Sequence, residues 1–296
     1  MAKILLPLFF SILISIPLDL HRRRCHRDFL REKDITEEIP AIICDLRNLT
    51  VLNLAWNYIP GEFPVVLYNC SKLQYLDLSQ NYLVGEIPGD IDRISSLQYL
   101  EVGGNNFSGD VPATIGNLTE LKVLNLNSNL FNGTFPSDIG QLSNLEILDM
   151  SFNGEMMAAQ IPEEFGKLGK LKEFRMRRSN LIGQIPGTFS NLVSLRELDL
   201  AINNLEGQIP DGLFLLKDLR NLFLFHNRLT GEIPVTVGAM SLEQIDLAMN
   251  NLTGSIPPDF GNLSNLTVLN LYVNKLNGGI PASLGLITTL KVLEIM

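Results

Sequence analysis

The chain is poor in the residues that do chemistry. Its 296 residues hold only three histidines and three cysteines. The histidines are His21, His26 and His226, and no Asp, Ser or Cys stands in repeat register with His226 to form a triad. No glycine-rich phosphate loop and no clustered set of metal ligands occurs, so no catalytic residue, metal or cofactor is assigned. Basic charge is also short. Lys and Arg number 23 against 32 Asp and Glu, a net charge of −9. That excludes nucleic acid as a partner, because such proteins need a basic stripe. Long apolar runs are missing as well. The run at residues 4–16, after Lys3, is thirteen residues long. It fits the apolar centre of a secretory signal and is too short for a membrane span.

What is there in quantity is repetition. A 24-residue unit, L-x-x-L-x-L-x-x-N-x-L-x-G-x-I-P plus eight residues, starts at Leu49, Leu73, Leu97, Leu121, Leu145, Leu171, Leu195, Leu219, Leu242 and Leu266. A partial copy opens at Leu290. This period and leucine spacing are the signature of the leucine-rich repeat. Each copy forms one coil of a solenoid and is stabilised mainly by its neighbours. Alternation in L-x-x-L-x-L predicts a short strand with Leu76 and Leu78 inward and Tyr75, Asp77 and Ser79 outward. The asparagines at 57, 81, 105, 129, 153, 203, 227, 250 and 274 carry donors and an acceptor to pair the turn that leaves each strand. Gly then allows a tight turn and Pro ends strand pairing. The segment after Pro, such as residues 113–118, suits a short helical turn. The expected fold is an α/β solenoid, right-handed and curved, with one parallel concave sheet and about ten full repeats.

The expected organisation is a signal peptide or signal anchor at 1–18, an irregular charged segment at 19–38 and the repeat domain at 39–296. Arg22, Arg23 and Arg24 follow the apolar run without an obvious cleavage site, which keeps the anchor open. The charged segment shows no repeat spacing, and residues 1–35 are expected to stay apart from the solenoid. Neither end resembles the polar cap such a stack needs, so the chain is expected to be part of a longer protein or a truncated product. Two copies break the period. The fifth is two residues long around residues 153–162, and the eighth is one short between Pro234 and Leu242. Ser179 replaces the column asparagine in the sixth, with Asn180 beside it. Cys25, Cys44 and Cys70 leave one thiol over if the chain is secreted. Cys44 and Cys70 lie near equivalent points of adjacent coils, where a bridge and a pair of small buried residues are both acceptable. Eight N-x-S/T sequons, at Asn48, Asn69, Asn106, Asn117, Asn132, Asn251, Asn262 and Asn265, are candidate glycosylation sites. Asn48 and Asn117 are expected to be more accessible than Asn69.

The G-x-I-P form of the repeat resembles the plant-specific leucine-rich repeat of receptor-like kinase ectodomains. Four stretches resemble the HAESA-like branch: I-P-A-I-I-C-D-L-R-N-L-T at 39–50, N-Y-I-P-G-E-F-P at 57–64, L-Y-N-C-S-K-L-Q-Y-L-D-L at 67–78 and N-L-I-G-Q-I-P at 180–186. The resemblance implies an extracellular module at the plasma membrane or in the apoplast. It would bind a small secreted peptide on its concave face, with a co-receptor kinase joining, and the kinase activity would reside in a domain outside this chain. The positions matching Phe223 and Asp246 lie along the peptide groove of that branch. The candidate ligand patch spans the eighth to tenth repeats: Asn221, Phe223, Phe225, His226, Gln244, Asp246 and Tyr272. Outward aromatics on a rigid sheet point to recognition. Arg175-Met176-Arg177 looks like the family's carboxylate-binding Arg-x-Arg, but its register and repeat number differ, so the role is not carried over. Arg175, Arg177 and Arg178 are expected to pair with Glu173 and Glu197. The acidic column Asp77, Asp149, Asp199 and Asp246 reads as a solvated face. The competing function is a secreted inhibitor of wall-degrading enzymes such as polygalacturonase, which has about ten such repeats; a truncated product without function is the third reading.

Overall fold

Eleven three-residue strands, from Val51–Asn53 to Val292–Glu294, pair one after another into a single parallel sheet. The computed structural model describes residues 30–295. The apolar N-terminal run, the arginine cluster at 22–24 and Cys25 lie outside the described residues. Sheet register equals the repeat: Leu52 pairs with Leu76, Leu76 with Leu100 and Leu100 with Leu124. The leucine columns fill the interior. In the second coil Leu73, Leu76, Leu78, Leu83, Ile87 and Ile91 are all buried, and each packs on its equivalents in the next coils.

The asparagine column works as its chemistry requires. The Asn81 amide donates to the carbonyls of Leu54 (2.9 Å), Leu78 (3.0 Å) and Ser79 (3.1 Å), and its oxygen accepts from the Ile59 amide (3.0 Å). One buried side chain thus pairs backbone groups on two coils, groups that would otherwise be orphaned. The residue before each column position is turned left-handed, with φ of 52–60° at Trp56, Gln80, Ser128, Phe152, Arg178, Ile202, His226, Met249 and Val273. That conformation costs an L-residue roughly 1–2 kcal/mol, an expense that the asparagine bonds offset.

On the side opposite the sheet, ten short 3-10 helices follow the prolines, as in Ala113–Asn117 after Pro112. Pro fixes an extended φ where a helix-start amide would lack a partner. The helical side is 3-10 throughout, with no α-helix among the described residues, because about five residues cannot hold two α-turns. Two small flanking sheets were not foreseen: Val84–Glu86 with Asn106–Ser108, and Ala159–Gln160 with Leu181–Gly183 and Asn204–Leu205. The repeat's glycine lies in or just after several of these strands, where a side chain would be crowded. At Gly183 (φ +73°) and Gly207 (φ +77°) an added Cβ would lie 2.9 Å from the Cγ of Gln160 and Gln184, one coil back.

The solenoid begins earlier than Ile39. Leu30 and Ile35, in the segment expected to stand apart, are buried in the core. The Asn57 amide donates to the Leu30 carbonyl (2.9 Å) and its oxygen accepts from the amides of Lys33 (2.9 Å) and Ile35 (3.1 Å). Leu30 and Ile35 stand 24 residues before Leu54 and Ile59, so this is half a coil. Charged residues occupy its outward positions and mask the period.

The irregular coils are compensated. Ser179 keeps two column contacts, its hydroxyl reaching the carbonyls of Met150 (2.8 Å) and Arg177 (3.3 Å). Asn180 donates to the carbonyl of Met156 (2.8 Å), a buried residue of the fifth coil's insertion. The odd column residue and the insertion are therefore one feature. The short eighth coil has no 3-10 helix. Across that gap Phe214 of the seventh coil stacks on Phe260 of the ninth, centroids 5.7 Å apart. Cys44 and Cys70 form a disulfide that ties the first coils together.

Candidate functional site

The exposed face of the long sheet carries, in each coil, two outward strand residues, a third just after the strand and the left-handed residue beyond it. For the eighth coil these are Asn221, Phe223, Phe225 and His226. Register sets Phe223 between Asp199 and Asp246, and Asn221 between Glu197 and Gln244. The predicted patch is therefore brought together. Its burial differs from expectation. Asn221, Phe223, Phe225, Gln244 and Asp246 are half-buried, while His226 and Tyr272 are exposed.

The acidic column is not a solvated face. Asp77, Asp149 and Asp199 are buried, and each carboxylate accepts the amide two residues on: Ser79 (3.0 Å), Ser151 (2.9 Å) and Ala201 (3.0 Å). Asn53, Asn125 and Asn270 do the same. This outward position is a strand-end cap, and short acids and amides recur there because the turn needs an acceptor. Asp246 belongs to the series. One of its oxygens accepts from the Ala248 amide (3.1 Å) and the other from the Asn270 side chain (3.3 Å). Burial raises the carboxyl pKa of Asp199 and Asp246 above the ordinary value, against the lowering effect of those amides. Glu101 is raised too, by burial and then by neighbouring Asp77.

Glu101, Arg175 and Phe223 break the capping series, and the last two lie in the central coils. Arg175 pairs with Glu173 (2.8 Å) and with Glu197, as expected. Arg177 does not. Its guanidinium lies over the Phe225 ring (4.9 Å) and near Phe152 (5.8 Å), and its Nε is buried without a hydrogen-bond partner. Arg177 and Phe225 occupy the same column two coils apart, with fully buried Ala201 between them. The pattern repeats with Ala248 between Phe225 and Tyr272. A large residue on every second coil spreads over the small one between. The sequence reading missed Phe152 and the stacking of Arg177, although the large–small alternation was the available signal.

The face is thus a strip of aromatic rings and one flat cation, edged by exposed Phe152, Met249 and Val273. Such a surface offers apolar stacking and hydrogen bonds to a narrow partner. Among the described residues no group of three or more His, Cys, Asp or Glu is placed to hold a metal ion, and no helix is long and apolar enough to cross a membrane. Seven sequon asparagines are exposed and Asn251 is half-buried; Asn69 is exposed like Asn48 and Asn117.

Comparison with known proteins adds family and relatives. The family described as "Leucine-rich repeat region" matches residues 65–185, and "Leucine Rich Repeat" matches 48–70, 194–216, 218–240, 241–263 and 265–287. No curated protein matches the chain. Among solved structures, the ectodomain of the Arabidopsis receptor kinase HAESA with an N-terminally extended IDA peptide hormone is 37% identical over 89% of this chain, with a TM-score of 0.85. HAESA with IDA and the co-receptor SERK1 gives 36% over 89%, TM-score 0.84. The plant peptide hormone receptor RGFR1 with RGF2 gives 35% over 86%, TM-score 0.81. The chain spans 44%, 46% and 40% of those chains, less than half of each.

Proposed function

The chain belongs to the leucine-rich-repeat proteins, and from that premise we propose that it is an extracellular recognition module whose long sheet binds a small secreted peptide. The observation that carries this reading is the strip from Phe152 to Tyr272, with half-buried Phe223 and Phe225, exposed rings at both ends and a stacked Arg177 on the face of a rigid sheet. Coils stand about 4.8 Å apart and an extended peptide advances about 3.3 Å per residue, so the fifth to tenth coils accommodate roughly seven residues. The similarity to HAESA and RGFR1, each solved with a peptide hormone, supports a peptide rather than a larger ligand. The four stretches at 39–50, 57–64, 67–78 and 180–186 support the HAESA-like branch. By the same analogy the module stands on the outer face of the plasma membrane or in the apoplast, and a co-receptor kinase joins the bound peptide, as SERK1 accompanies HAESA and IDA. Catalysis is no part of this reading. The module recognises, and a kinase elsewhere responds.

Calorimetric titration of the secreted chain tests it, with synthetic IDA and RGF2 peptides first and then a pool of secreted plant peptides. A binding peptide should lose roughly 1–3 kcal/mol with Phe225→Ala and with Phe223→Ala. Lys167→Ala, on the helical side, should leave binding unchanged. If no peptide binds, or binding ignores both phenylalanines, the assignment of this face is wrong.

A further inference from the structure

The flank where the chain leaves the sheet carries apolar side chains that neither the core nor the ligand face uses. In the position just after the column asparagine stand Tyr58, Tyr82, Asn106 and Leu130, one coil apart. Tyr58, Tyr82 and Leu130 are 47%, 55% and 51% exposed. The two tyrosine rings lie 5.8 Å apart, and Val84, the strand partner of Asn106, is exposed as well. The one polar member of this run heads the sequon Asn106-Phe107-Ser108. Its backbone is held between its neighbours: the Asn106 amide donates to Leu83 (2.8 Å) and the Leu130 amide to Phe107 (2.8 Å).

The sequons are not equivalent. Asn48 accepts from Lys72, Asn117 donates to Asp92, Asn132 accepts from the Gly109 amide and Asn265 donates to the Met240 carbonyl. The Asn106 side chain makes no such bond among the described residues and is exposed. Asn69, Asn251 and Asn262 are equally unengaged, but none stands between exposed aromatic and leucine side chains in its own column.

We infer that Asn106 carries an N-linked glycan whose first sugars pack along Tyr82 and Tyr58 on one side and Leu130 on the other. The inference rests on the extracellular reading above. In the modification, the Asn106 amide nitrogen attacks the anomeric carbon of an oligosaccharide carried on a polyprenyl pyrophosphate. The C–N bond forms, the C–O bond to the pyrophosphate breaks, and the amide loses one proton. An N-acetylhexosamine has polar edges but C–H faces and an acetyl methyl. Those faces suit aromatic rings, and the methyl suits Leu130. Covering them removes from water an apolar run that a soluble surface otherwise leaves unexplained.

The test uses the chain secreted from a plant cell. Glycopeptide mass spectrometry should find Asn106 occupied. Asn106→Gln should lower Tm by about 2–4 °C, whereas Ser108→Thr, which keeps the sequon and a hydroxyl, should retain the glycan and the wild-type Tm. Trimming the glycan to its first sugar should retain the difference. In a Tyr58→Ala/Tyr82→Ala background the same removal should produce no shift, and in bacterially made, sugar-free protein Asn106→Gln should change nothing. Occupied Asn48 or Asn69 with an empty Asn106 overturns the inference alone, as does an equal Tm loss in both tyrosine backgrounds. No occupied sequon anywhere overturns the extracellular reading with it.

Discussion

Single side chains in this protein have value through the coil next door. Asn129 donates to the carbonyls of Val102, Leu126 and Asn127 and accepts from the Phe107 amide. Asn129→Ala should therefore cost roughly 1–3 kcal/mol, because buried backbone groups on two coils lose their partners. Urea denaturation measures it, and a neutral result would remove the column from the account of the fold. Glu101 makes the opposite case. Burial and then Asp77 raise its pKa above the ordinary 4.5, so the folded chain holds that proton more tightly than the unfolded one. Its destabilising effect is absent below the unfolded pKa, grows as pH rises from that value, and is fully present above the higher folded one. Glu101→Gln should match wild type near pH 4 and exceed it in stability near pH 7. A wild type that is equal or more stable at neutral pH would show that Glu101 is better accommodated than its surroundings indicate.

At the scale of the coil, the repeat's glycine is a packing requirement as much as a turn signal. Gly207 combines a φ of +77° with a Gln184 Cγ only 2.9 Å from where its Cβ would be. Gly207→Ala should cost roughly 1–3 kcal/mol, whereas Gly187→Ala, with open space around it, should cost far less. Denaturation midpoints of the two variants make the comparison, and equal losses would mean that helix-side glycines matter for another reason. Coils also absorb defects jointly. Asn180 holds the insertion of the coil before it, and Phe214 reaches Phe260 across the coil without a helix. Neither repair is visible within one repeat.

The whole molecule is a stack in which each coil is supported from both sides, so its ends need other means. At the N-terminal end these are the half-coil from Leu30 and the bridge between Cys44 and Cys70, which closes a separation of 26 residues. Replacing both cysteines by alanine should lower stability by roughly 2–4 kcal/mol, as expected for a loop of that length. Thermal unfolding of the double variant, and hydrogen exchange at residues 30–70, would check it. Exchange that rises uniformly along the stack would show that the bridge acts on the whole rather than on this end. On the sheet face, the positions free for recognition are those that the repeat does not use for itself. Phe223, Phe225 and Arg177 cap no turn, whereas Asp246 gives one oxygen to the turn and the other to the Asn270 side chain.

The sequence by itself determined the solenoid, the parallel sheet, the inward leucines and the work of the asparagines. Each of these repeats every 24 residues, and each has its partner one coil away, so a period in sequence is a contact in space. The patch at Asn221 to Tyr272 was legible for the same reason, as outward positions of adjacent strands. The tertiary structure alone decided what depends on reach and on neighbour size. Arg177 crosses small Ala201 to lie on Phe225. The capping acids are buried because the turn needs their oxygens. The half-coil at Leu30 joins the core because burial tests only its few inward residues, whereas a reading of the pattern is dominated by the charged residues between them.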